Sequence, residues 1–231
     1  MRMTGTQLKV ARKRHNWTQV EAASRLQVSQ PYLALLEKGD RRLTPSLARK
    51  AVQVFHASPC VLPAREPSAN VDPQRLAEQL AALEYPGFAY MHGGVKRNPA
   101  EVLLTALGQG DLESRLTEAL PWLVLHYATD LDTKWLVEKA RLHNLSNRLG
   151  FVVDLALRFL ENRGDMHSRR YNVLQDLKSE LVTGRLAGED TLCQSWLSQS
   201  ERNWLRTARR PEAEFWNLLT DWRPEHLQYA E

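Results

Sequence analysis

Only two cysteines occur in the 231 residues, Cys60 and Cys193, and neither sits in a CxxC pair or at a Cys/His ligand spacing. A disulfide-stapled scaffold is thereby excluded, and a zinc site has no support. The histidines, His15, His56, His92, His126, His143, His167 and His226, are equally scattered. No HxxxH pair places two imidazoles on one helical face, so they read as surface or hydrogen-bonded core residues, and neither a metal nor another cofactor is expected. Apolar runs are short as well: none approaches the ~20 residues of a membrane span. The opening stretch MRMTGTQLKVARKRHNW is charged without an apolar segment behind it, which is not the pattern of a secretory signal. The expectation is a cytoplasmic protein with no membrane partner. Enzyme signatures are missing too, with no GxSxG, glycine-rich phosphate loop or HExxH. Gly93-Gly94 lacks the following helix that would make it a phosphate cradle, and Asp130 and Asp132 read as helix caps rather than a carboxylate pair. No catalytic residue is assigned, and the chain is not expected to be an enzyme.

What is present is an ordinary globular composition, 43% hydrophobic and 25% charged, in a chain long enough for two domains. The charge is unevenly placed. Residues 1–66 carry 12 Lys/Arg against 4 Asp/Glu, a net +8, and residues 67–231 carry 19 against 23, a net −4. A small basic domain joined to a larger, mildly acidic one suggests that the first meets a polyanion and the second does not.

Helical periodicity dominates throughout, so the predicted fold class is all-α. The spacing predicts helices over about 6–15, 18–26, 29–38 and 45–55 with a short stub at 58–62, giving a five-helix domain over 1–63. The Pro-, Ala- and Ser-rich stretch AREPSANVDP marks a linker, placed at 64–71, and 72–231 reads as a larger helical domain. Asp72-Pro73 and Asn98-Pro99 each put a capping side chain before a proline, which opens a helix without loss. EYPGFAYMHGGVKRN (84–98) reads as an ordered loop. Further helices are predicted over 100–108, 112–128, 133–143, 145–162, 171–182 and 190–219, with Pro121 ending or kinking the one that begins at Asp111. An irregular bundle and a short helical solenoid both fit this pattern. Six of the seven tryptophans fall after residue 72, at spacings that suit a core.

The segment LKVARKRHNWTQVEAASRLQVSQPYLALLEKGDRRLTPSLARKAVQVF, residues 8–55, carries linked features at fixed offsets. Thr18 and Ser29 are placed to cap the second and third helices, Ala23 is small where those helices cross, and Val28 is buried in the turn. Leu33 and Leu36 form the inner face of the third helix, and Glu37-x-Gly39 lets the chain leave it through a left-handed residue. The segment resembles the Cro/C1-type (XRE) helix-turn-helix family of DNA-binding regulators. That resemblance implies double-stranded DNA as partner, with Gln19 contacting a phosphate and bracing the recognition helix. It also implies that the outward or flanking positions of that helix, Ser29, Gln30, Pro31, Tyr32, Ala34 and Leu35, face the major groove. Gln30 is the best base-reading candidate, because an amide donates and accepts against an adenine edge at once. Tyr32 suits either DNA or packing against the second helix. Arg41, Arg42, Arg12, Lys13 and Arg14 are placed to hold the DNA backbone, the last three having a solvated charge run as their alternative. The sequence departs from the family at Gln27, where glycine is common and a positive φ is required, and at Pro31.

The expected function is that of a transcriptional regulator, a repressor acting as a homodimer, whose second domain serves dimerisation, a protein partner or a small-molecule effector. NRLGF, within 141–164, resembles an element in the C-terminal part of abortive-infection-type antitoxins, which are themselves DNA-binding regulators. An antitoxin that binds a toxin and represses its own operon is therefore the alternative, and an enzyme with a DNA-binding head is a second one.

Overall fold

A hydroxyl side chain caps each of the first four α-helices. The computed structural model describes residues 3–227 and Tyr229. Thr4 opens α1 (Gly5–Arg14) and Thr18 opens α2 (Gln19–Leu26), both in capping boxes in which Gln7 and Glu21 return a bond to the cap N–H. Gln27 ends α2 at φ 56, the left-handed geometry its position demands, and the Lys50 ammonium donates to its side-chain oxygen. Ser29 caps α3 (Gln30–Lys38), with Pro31 in the first turn where its missing N–H costs nothing, and Gly39 ends it at φ 92. Thr44 and Pro45 open α4 (Pro45–Val54), and a 3-10 turn follows at Pro59–Val61. All five elements lie within a residue of their expected ends.

Leu8, Ala22, Leu26, Leu33, Leu36, Ala51 and Phe55 build the core of this part. Each fully buried leucine contributes roughly 2 kcal/mol. Ala23 is buried as expected, and Val28 is partly so. Gly5 shows how closely α1 approaches α3, since a Cβ there would lie 1.9 Å from the Leu36 carbonyl oxygen.

The chain divides into two compact units, Met1–Arg65 with Lys96–Asn98 and Glu66–Val95 with Pro99–Glu231. In the first, the Asn98 amide donates to the carbonyls of Cys60 and Leu62 at 3.0 and 2.7 Å. The stretch read as a linker is tied down from Glu66 onward, inside the second unit. Glu66 pairs with Lys139 at 2.6 Å, and the Gln109 amide donates to Ser68 O and accepts from Val71 N–H, both at 3.0 Å.

Among the described residues, the second unit consists of helices and loops with one two-residue strand pair and an isolated antiparallel bridge between Asp111 and Gln194. It holds α5 (Pro73–Ala82), α6 (Pro99–Leu107), α7 (Ser114–Tyr127), α8 (Thr133–Leu142), α9 (Ser146–Asn162) and α10 (Arg169–Val182). All nine residues of α6 are buried, as are most of α9. Because α9 packs on α6, α7, α8 and α10 at once, the unit is a bundle about a central helix. A solenoid, whose repeats touch only their neighbours, does not describe it.

Of the two outcomes expected at Pro121, an end to the helix is set aside, since α7 runs through it: residues 119–125 are all buried, and that packing holds the helix across the lost backbone bond. One expectation fails here. The single helix expected over 190–219 is instead β1 (Asp190–Thr191), α11 (Gln199–Ala208), α12 (Pro211–Phe215) and β2 (Leu218–Leu219), the strands pairing in parallel with Asp190 opposite Leu218. Pro211 forces Arg210 into extended backbone, and Cys193 sits at φ 55, so neither stretch continues a helix.

Polar side chains of α9 hold this last segment. Asn147 brackets Leu186, donating to its carbonyl and accepting from its N–H at 2.9 and 2.8 Å. Arg148 forks onto Asp190 at 2.6 and 2.9 Å and donates to the carbonyls of Leu107 and Gln109. Asp154 accepts from Lys178 at 2.5 Å and from the Trp216 indole N–H at 2.8 Å. At Gly150 a Cβ would come within 2.4 Å of the Trp216 ring, so that ring seats where only glycine leaves space. The NRLGF residues are thus internal fastenings. Burial also pushes the neighbouring Cys193 thiol up to about 11, which leaves it protonated and unreactive.

Candidate nucleic-acid interface

Glu37, in the last turn of α3, is buried, and α1 meets it with a guanidinium fork. Arg12 Nε donates to Oε1 at 2.6 Å and Nη2 to Oε2 at 2.9 Å, while Nη1 donates to the Trp17 carbonyl at 2.8 Å. Burial disfavours the carboxylate, but hydrogen bonds from Arg12 and Gln19 and the charge of Arg12 outweigh it and hold Glu37 below the usual carboxylate range. The hydrogen bond to Glu37 in turn raises the Arg12 guanidinium against its own desolvation. The expectation that Arg12 holds the DNA backbone is therefore corrected: it points inward, 9% exposed, as the tie between α1 and α3.

Gln19, the first residue of α2, extends the tie outward. Its Nε2 donates to Glu37 Oε2 at 3.0 Å, and its Oε1 accepts from Gln30 Nε2 at 2.9 Å. Gln19 and Gln30 are both half-buried, and Ser29 is exposed while its hydroxyl accepts from Tyr32 N–H.

Outward from this network lie Pro31, exposed, Ala34, half-buried, and Leu35, 40% exposed. With Gln30 they form one face of α3, since residues three and four apart share a side of a helix. Tyr32 is half-buried and packs against the core of the first unit. Arg41 and Arg42, just past Gly39, are exposed, as are Lys13 and Arg14 at the end of α1. Sequence reasoning marked Glu37 only as half of ExG and missed its bonds to Arg12 and Gln19. Those partners stand 25 and 18 positions away, and no local spacing announces them.

Residues 8–62 match the family model described as Helix-turn-helix. The first unit carries a Cro/C1-type helix-turn-helix domain. The matched span takes in α2, α3 and all four residues of the Arg12–Glu37–Gln19–Gln30 network. No curated protein and no solved structure matches the chain. Helix-turn-helix domains in general lay the second helix of the motif in the major groove, and in the matched span α3 holds that place in the order of helices. Among the described residues no group of three or more His, Cys, Asp or Glu side chains is arranged to hold a metal ion, and no helix is long and apolar enough to cross a membrane.

Proposed function

We propose that the chain is a sequence-specific regulator of transcription that represses by occupying duplex DNA, and that it works as a homodimer. The observation that carries this reading is the outward face of α3, Gln30 with Pro31, Ala34 and Leu35, flanked by exposed Arg14, Arg41 and Arg42 in a region of net +8. Arginines on either side hold phosphates without reading sequence, while the amide and the apolar side chains between them meet base edges and thymine methyls. The regulator carries no catalytic step and needs no cofactor. Its second unit serves dimerisation, and Trp196 and Trp204, 62% and 59% exposed, also favour a protein partner there, such as the toxin of an antitoxin pair.

The test is to incubate the full chain with a pool of duplexes randomised over about 20 base pairs and sequence the bound fraction at several salt concentrations. An enriched pattern is expected, with affinity falling steeply as salt rises because phosphate contacts release counterions. Binding without enrichment, or binding indifferent to salt, overturns the reading.

A further inference from the structure

Between α8 and α10 lies an open groove of about 560 Å³, lined by Lys134, Val137, Glu138, Arg141 and Leu142 of α8 and by Glu180 of α10. Its two walls are held together. Val137 is buried, and Arg141 Nη2 donates to the Glu180 carbonyl and to the Thr183 hydroxyl, both at 2.7 Å. Gly184 leaves room for that arm, since a Cβ there would lie 2.8 Å from Arg141 Nε. Leu142, the last residue of α8, stands in this lining 65% exposed, so an apolar side chain is left largely in water beside a groove whose shape is fixed.

The charges around it are balanced: Lys134 and Arg141 face Glu138 and Glu180, although residues 67–231 as a whole carry a net −4. Lys139, next along the helix, is held by Glu66 at 2.6 Å and stands 3.8 Å from Glu138. A surface that receives a partner of one charge carries the opposite sign. A face of both signs in equal number suits a copy of itself, because two-fold symmetry can set each positive side chain against a negative one, and every contact is then made twice. From this balance we infer that the face is where two copies of the chain meet: Leu142 of each copy seats in the α8–α10 groove of the other, and the four charged side chains form a rim of ion pairs around it. An apolar centre inside a polar rim is the general anatomy of a protein–protein interface. The inference rests on the proposed homodimer and goes beyond it by assigning the surface that forms it.

Sedimentation equilibrium of the full-length chain, with and without selected duplex DNA, tests this at positions that are exposed and whose replacement leaves the core intact. Leu142→Ser is expected to raise the dimer dissociation constant by about tenfold or more, since the side chain is buried twice in each dimer. Glu138→Lys takes the face from neutral to a net +2, and Lys134→Glu takes it to a net −2, so each variant alone is expected to repel its own copy and to dimerise less than wild type. Mixed in equal amounts, the two charge variants should pair with each other and recover the dimer content of the wild type. Variants that dimerise as the wild type does, or a mixture no more dimeric than its components, overturn this face as the interface and leave the homodimer reading standing. A wild-type chain that stays monomeric with and without DNA overturns both.

Discussion

At the scale of single residues, the side chains divide into those that hold DNA and those that hold the protein. On the proposed DNA-binding reading, Arg42, exposed beyond the end of α3, belongs to the first kind. Arg42→Ala is expected to weaken binding to all sequences alike and to make the salt slope shallower by about one unit, whereas Gln30→Ala should cost about 1–3 kcal/mol at a single base position. Titrations against one selected duplex and its single-base variants separate the two; equal weakening of every variant by Gln30→Ala would remove its reading role. Gly150 belongs to the second kind. Its missing Cβ makes room for the Trp216 ring, whose N–H is bonded to Asp154, itself 3% exposed. Gly150→Ala should destabilise the second unit by about 1–3 kcal/mol through overpacking. Urea unfolding followed by tryptophan emission measures this, and an unchanged midpoint would show that the ring has somewhere else to go.

At the scale of elements, the Arg12–Glu37 pair is what joins α1 to α3, and its acid sensitivity has a definite sign. The pKa of Glu37 in the folded chain lies below its unfolded value of about 4.3. Its contribution to stability is thus fully present above that unfolded value and is lost as pH falls through the folded one. Glu21, Glu66, Glu189 and Glu201 are lowered as well, each chiefly by a hydrogen bond to its carboxylate, but they lie at the surface, where solvent screens their share of the acid sensitivity. The distinguishing readout is the gap between wild type and Glu37→Gln in thermal melts from pH 3 to 7. The gap should be widest near neutrality and narrow below about pH 4; a gap independent of pH would mean that the charge of Glu37 contributes nothing to the fold.

At the scale of the whole molecule, a single helix-turn-helix domain reads few base pairs, and two-fold pairing on half-sites about one helical turn apart is the usual way to extend the site. The full chain is accordingly expected to sediment as a dimer at tens of micromolar or to become one on selected duplex DNA. Leu142, Trp196 and Trp204, 59–65% exposed, are available to such an interface in the second unit. Further along the unit, Trp216, Leu218 and Leu219 are fully buried, while Phe215 remains 38% exposed. A chain that stays monomeric with and without DNA would rule out the dimer.

Read alone, the sequence determined the helix-turn-helix domain almost completely. Its information is local: a hydroxyl before each helix, a left-handed residue after two of them, and apolar residues three and four apart. These signals act within a turn or two, so they survive without knowledge of the fold, and they placed Gln30, Ala34 and Leu35 on the outer face. Only the tertiary structure decided what depends on partners distant in the chain. Arg12 belonged to a basic run by sequence, and a carboxylate 25 residues away turned it inward. Pro121 stayed within α7 because its surroundings are buried, and the pattern over 190–219 gave way to short pieces because Trp216 found its place beside Gly150 and Asp154. Helical periodicity reports which side of a segment is apolar; whether that side closes one long helix or several short ones is settled by the shape of the surface it packs against.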